Sequence, residues 1–172
     1  MEFAQKLELA IGLQREGRLA EAEHLCRELA AEDPDNASVH ANLGSTLHRL
    51  GRLEEAAAAL LQAVTLQPNM IEASFSLGLV LAEQEQLDAA VQCFERVAEV
   101  DPGMFSNQRH LARVLVKRGA VKRAIGHYHC ALAINPYSIE VMLELAAALT
   151  KLGRKPAAAA FRERARALGG AA

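Results

Sequence analysis

The chain has 172 residues, the size of one domain; it is 51% hydrophobic, 4% aromatic and lacks tryptophan. Its net charge of −2 excludes a global field that would draw it to nucleic acid or a membrane surface, and no apolar run reaches the roughly 18 residues of a spanning helix. Much of the apolar content is alanine and leucine, which suits helices packed closely through small side chains.

Prolines recur at Pro34, Pro68, Pro102 and Pro136, 34 residues apart each time, and Pro156 falls outside the period. Such a period marks a repeat architecture and divides the chain into repeats of about 3–36, 37–70, 71–104, 105–138 and 139–172. Each is predicted to hold two helices, from apolar residues at i, i+3 and i+4. The first repeat carries Leu9-Ala10, Leu13, a turn at Gly17, then Ala22 and Cys26 before Asp33-Pro34-Asp35-Asn36. The second repeats this with Leu43-Gly44, Leu47, Gly51, Ala56 and Leu60. The third has Leu77-Gly78, Leu81, Ala90 and Phe94, but Glu85 stands where a turn glycine is expected, so a strained or differently shaped turn is predicted there. The fourth has Leu111-Ala112, Leu115, Gly119, Ala124 and Tyr128, ending at Asn135-Pro136-Tyr137-Ser138. The fifth has Leu145-Ala146, Leu149, Gly153 and Ala158, with Arg162 at the place of Cys26, Leu60, Phe94 and Tyr128. There Phe161, Ala165 and Leu168 are expected to face inward, and Arg162-Glu163-Arg164-Ala165-Arg166 to form a solvated cap.

The spacing has a physical basis. Glycine ends the first helix of a pair because a left-handed residue costs it nothing sterically. The residue before proline disfavours the helical region and so ends the second helix. Small residues at Ala10, Gly44 and Gly78 let two helices approach closely. One pair cannot bury its apolar face alone, whereas stacked pairs can.

These recurring leucines, glycines, alanines and prolines resemble the tetratricopeptide repeat family, over roughly residues 3–170. The resemblance implies an all-α fold, a right-handed superhelical α-α solenoid of five helix pairs in a single array. It also implies a concave groove, lined by the first helix of each pair, that holds a peptide or protein segment of a partner. The repeat register then assigns groove positions. They are Leu7, Glu8, Ile11 and Arg15; Ala41, Asn42, Ser45, His48 and Arg49; Glu72, Phe75, Ser76, Leu79 and Glu83. The later repeats give Arg109, His110, Arg113, Val116 and Lys117, then Leu143, Glu144, Ala147 and Lys151. One subtype of the family grips C-terminal carboxylates with lysine, asparagine and arginine; at the matching places this chain has Leu7, Ile11, Asn42, Glu72 and Ser76, and only Asn42 agrees. The asparagine ladder of another subtype is matched by Asn42 alone, with Glu8, Ser76, His110 and Glu144 at its other places.

What remains is particular to this sequence. Phe75 and Leu79 place apolar groups where solvent is expected, and Arg109, Arg113 and Lys117 follow at i, i+4 and i+8 on the next inner helix. The expected site is Asn42, Arg49, Phe75, Leu79, Arg109, His110, Arg113 and Lys117, and the expected partner is an amphipathic or acidic segment across the third and fourth repeats.

Chemistry is sparse. His127, His129 and Cys130 are the densest cluster of metal-ligand types, but His129 points away from the other two on a helix, and no Cys-x-x-Cys or His-Glu-x-x-His occurs. Surface or packing histidines are the simpler reading, with His40 at a helix–helix contact. Cys26, Cys93 and Cys130 are odd in number and lie in helical apolar patterns, so small buried or half-buried hydrophobes are expected rather than disulfides. Nucleophile-elbow, phosphate-loop and dinucleotide patterns are absent, so no enzyme activity, cofactor or metal is expected. The cysteine usage and the lack of a basic segment leading into an apolar one at the start point to the cytoplasm. The function expected is a protein-interaction scaffold or adaptor. The alternative is a repeat region of a larger protein, such as a transferase, presenting substrates or mediating self-assembly.

Overall fold

The computed structural model describes residues 2–169, and these form ten helices. They are α1 (Phe3–Arg15), α2 (Leu19–Glu32), α3 (Ala37–Arg49), α4 (Leu53–Leu66), α5 (Ile71–Glu83), α6 (Leu87–Val100), α7 (Phe105–Lys117), α8 (Val121–Ile134), α9 (Ile139–Lys151) and α10 (Lys155–Gly169). No strand occurs among the described residues. The chain forms two compact halves, residues 1–86 and 87–172. In the N-terminal half α1 packs on α2, α2 on α3, α3 on α4 and α4 on α5, and α3 also touches α1 and α5. In the C-terminal half α6 packs on α7, α7 on α8, α8 on α9 and α9 on α10, with α7 also touching α9.

Each odd-numbered helix ends the same way. The residue after its C-cap is left-handed at Gly17, Gly51, Gly119 and Gly153. Its N–H and the next one turn back onto the last helical carbonyls, as in Gly51 N to His48 O at 2.9 Å and Arg52 N to Leu47 O at 3.0 Å. The third turn was expected to be strained or differently shaped; it is strained, and its shape is that of the others. Glu85 takes the same left-handed conformation, with φ of 58°, and makes the same pair of bonds through Gln86 N to Leu81 O at 2.8 Å. The glutamate accepts the strain a glycine would avoid.

The even-numbered helices end as the prolines require. The residues before Pro34, Pro68 and Pro136 have ψ of 86°, 87° and 91°, outside the helical region. Asn36 then caps α3 by accepting from Val39 N at 3.2 Å, and Ser138 caps α9 by accepting from Val141 N at 3.4 Å.

The core repeats along the chain. Ala22, Ala56, Ala90, Ala124 and Ala158 are fully buried, as are Leu29, Leu60, Phe94, Leu111 and Leu145. Gly44 is needed rather than tolerated: a Cβ there would sit 2.5 Å from Leu60 Cγ and 3.1 Å from the Ala56 carbonyl oxygen. On the other face of the N-terminal half, Arg52 bridges α4 to Glu23 of α2 at 2.7 Å, while Arg27 of α2 reaches Glu55 of α4 at 2.9 Å. The last helix buries only Ala158 and Ala165 among its described residues. Phe161 is half-buried and lies 5.8 Å from the His129 ring, but Leu168 is exposed and does not join the inward face.

Candidate functional site

In the N-terminal half, α3 and α5 flank a cleft of about 210 Å³ lined by Ser38, Ala41, Asn42, Ser45, Met70, Glu72, Ala73 and Ser76. Five of these, Ala41, Asn42, Ser45, Glu72 and Ser76, are positions that the repeat register assigned to the groove. The small residues recur at helical spacing on α3, which leaves the space open; Glu72 and Ser76 face it from α5. Asn42 is held in place locally. Its amide Nδ2 donates to the Ser38 carbonyl at 2.8 Å, and its own carbonyl accepts from Thr46 Oγ1 at 2.8 Å and Gln14 Nε2 at 3.2 Å. Gln14 also donates to Thr46 Oγ1 at 2.7 Å, so a chain of side-chain bonds ties α1 to α3 behind the cleft.

Phe75 and Leu79 are both half-buried on α5. They lie at i+3 and i+7 from Glu72, on the stripe that includes Ser76. His48 donates from Nε2 to the Glu83 carboxylate at 2.8 Å, joining the far ends of α3 and α5. Arg49 donates from Nη1 to the Gln14 carbonyl, which also accepts from Gly17 N at 3.2 Å in the turn after α1, so this predicted groove residue has a structural task.

In the C-terminal half, Arg109, His110, Arg113 and Lys117 lie on α7. Arg109, the head of the basic column expected from the sequence, is not open to solvent along its length. Its side chain and that of Glu144 are each 24% exposed and form a close pair, Nη2 to Oε1 at 2.8 Å and Nε to both carboxylate oxygens at 3.2 Å. Arg109 Nη1 also donates to Glu140, and Arg113 Nε lies 3.8 Å from the same Glu144 oxygen. The repeat register placed Glu144 on the inner face, but one-dimensional spacing does not show that a side chain 35 residues away reaches Arg109. His110 is half-buried with its ring 6.1 Å from that of Phe94, and burial, followed by the charges of Arg113 and Arg109, holds its pKa below the ordinary value.

A buried polar cluster beside α7 was not foreseen. Gln108 Nε2 donates to the Pro102 carbonyl at 3.0 Å, and His127 Nδ1 donates to Gln108 Oε1 at 2.9 Å. Asn107 Nδ2 donates to the Phe94 carbonyl at 2.9 Å, and its buried Oδ1 has no hydrogen-bond partner. Asn107 stands where Val39, Ala73 and Val141 stand in other repeats, and that break in apolar pattern was the available signal.

No group of three or more His, Cys, Asp or Glu among the described residues could hold a metal ion. His40 is half-buried and donates from Nε2 to the Pro34 carbonyl at 2.8 Å, fastening the first interrepeat turn. Cys26 is buried and Cys93 half-buried, as expected, but Cys130 is exposed. Its helix turns residue 130 away from the α7 and α9 contacts that bury Tyr128 and Ala131. No helix among the described residues is long and apolar enough to cross a membrane.

Solved structures of MamA proteins are similar to this chain. MamA from Desulfovibrio magneticus RS-1, from residue 41 to the end, is 20% identical, with 97% of this chain and 94% of that chain covered and a TM-score of 0.91. MamA of AMB-1 is 23% identical, with 99% and 93% covered and a TM-score of 0.88, and MamA of MSR-1 is 23% identical, with 97% and 96% covered and a TM-score of 0.87. At these identities the likeness shows a common fold. Among curated proteins, none matches the chain significantly in sequence. A tetratricopeptide repeat profile matches residues 7–71 and 73–139. With helix pairs of fixed length, the same left-handed turn five times over and a family match across most of its length, the chain belongs to the tetratricopeptide repeat family.

Proposed function

We propose that this protein is a scaffold that holds a segment of a partner protein against the first helices of its repeats. The observation that carries the reading is the cleft between α3 and α5. At about 210 Å³ it is smaller than the roughly 300–1,000 Å³ of typical small-molecule pockets. Its serines and alanines allow close approach of another backbone, and Asn42 and Glu72 offer polar groups to that backbone. Phe75 and Leu79, continuing the Glu72–Ser76 stripe of α5, supply the apolar anchor that contributes most to affinity in such contacts. The partner segment is therefore amphipathic. An acidic segment has to compete with Glu140 and Glu144 for Arg109.

The test is affinity capture with the wild-type chain beside Asn42→Ala and Phe75→Ala, read by quantitative mass spectrometry. Partners of the groove are depleted from both variants while the melting temperatures stay close to wild type. Equal capture by all three proteins would move the binding surface elsewhere.

Self-association is a second reading with one observation in its favour. Leu9 is 44% exposed, whereas its repeat equivalents Leu43, Leu77, Leu111 and Leu145 are buried. An open leucine at a stacking position is a seat for another chain. Leu9→Gln should then shift the mass measured by light scattering toward the monomer at high concentration, and an unchanged mass removes this reading.

A further inference from the structure

The arginine at the head of the α7 column already has an anionic ligand, and it comes from the protein itself. Glu144 approaches Arg109 with both carboxylate oxygens, and Glu140, one turn earlier on α9, takes Nη1. Both members of the Arg109–Glu144 pair are half-buried, so water screens them less than a surface pair. Arg113 leans toward the same Glu144 oxygen. An incoming carboxylate gains Arg109 only by displacing Glu144, and it then leaves two like charges side by side. Glu140, with its side chain 69% exposed, adds a negative group on the approach. An uncharged segment displaces nothing and can donate backbone N–H groups to the exposed Glu140 carboxylate.

We propose that Glu144, with Glu140, is the specificity-determining element of the α7 face: these carboxylates occupy Arg109 and Arg113 and turn acidic segments away in favour of uncharged ones. This rests on the reading of the face as a partner-binding surface. Specificity here comes from a repulsive element built beside an attractive one. Removing the carboxylates converts the same face into an anion-binding one.

The experiment uses the full chain as wild type, Glu140→Gln, Glu144→Gln and the double variant. The probes are a fluorescein-labelled peptide of alternating leucine and glutamate and the same peptide with glutamine for glutamate, followed by anisotropy at low salt. The glutamate peptide should bind the double variant about tenfold or more tighter than wild type, with the gain shrinking as salt rises. The glutamine peptide should change little, and adding Arg109→Gln should abolish the gain. A purely structural pair would shift the melting temperature without altering selectivity between the peptides. Should the double variant fail to fold, Glu140→Gln, altered at an exposed position, must still show a smaller gain in the same direction. Equal preference for the two peptides in wild type and variants overturns the filter and leaves the scaffold reading standing. Failure of every protein to bind either peptide overturns the filter and the partner-binding reading of this face together.

Discussion

A methyl group decides the contact between α3 and α4. Glycine in a helix costs about 1 kcal/mol relative to alanine, so Gly44→Ala should stabilise if only propensity counted. The added Cβ meets the Cγ branch of a fully buried Leu60 and the backbone carbonyl of Ala56, neither of which can move without disturbing the core. Overpacking costs about 1–3 kcal/mol, so the net effect should be a lower melting temperature. Combining it with Leu60→Ala should cost less than the two single changes added together, and strict additivity in chemical denaturation would show that the contact is not what limits residue 44. Ala10 and Ala112 fill the equivalent place where Cys26 and Tyr128 replace Leu60. Glu85 poses the opposite case. A non-glycine residue held left-handed costs about 1 kcal/mol, and the third turn matches its four glycine counterparts. Glu85→Gly should therefore leave stability unchanged or raise it slightly, because the freer unfolded glycine offsets part of the relief. A clear fall in melting temperature would mean that the Glu85 side chain stabilises the turn by more than its backbone strain costs.

Between elements, the pair joining α7 to α9 has become structural. Arg109→Glu would place a third carboxylate between Glu140 and Glu144 in a half-buried setting, so it should destabilise the C-terminal half and not merely weaken binding. Losing one partner of a half-buried pair and adding like charge is expected to cost about 2–4 kcal/mol, visible as earlier loss of helical circular dichroism. Arg113→Glu, at an exposed side chain 3.8 Å from Glu144, should cost much less. Equal effects of the two reversals would refute the unequal roles assigned to them. This distinction was not legible in the sequence, where Arg109, Arg113 and Lys117 form one i, i+4, i+8 column. The carboxylates that divide the column lie 31 and 35 residues away, at a distance that only the packing of α7 on α9 closes.

For the whole molecule, titration at both ends of the pH scale should bracket a stable plateau. Burial holds His110 and His127 below their ordinary value of 6.5, with nearby arginine charge adding to the effect. The fold prefers them neutral, so their contribution is present above pH 6.5 and is lost as pH falls through the lowered folded values. Burial pushes Cys26 up to about 11 from 9.0 and Tyr128 up to about 12 from 10.0. Their contribution is present below pH 9.0 and 10.0 respectively, and is lost as pH rises toward about 11 and 12. The melting temperature should therefore be greatest between these limits and fall on either side, with Tyr128→Phe flattening the alkaline decline. A decline unaffected by that substitution would assign the alkaline loss to other groups.

The sequence by itself determined the helix pairs, their ends and the repeating core, because each depends on a local rule: glycine admits a left-handed residue, proline ends a helix, and apolar residues at helical spacing share one face. It also determined most of the cleft wall between α3 and α5, because the register of a repeat carries over from one pair to the next. The tertiary structure decided which charges remain available. Whether Arg109 is open to a partner or is held by Glu144 depends on the distance between two helices packed side by side, and neither spacing nor composition encodes that distance. The same holds for Asn107, whose burial against the Phe94 carbonyl follows from the seating of α7 on α6 and not from its neighbours in the chain.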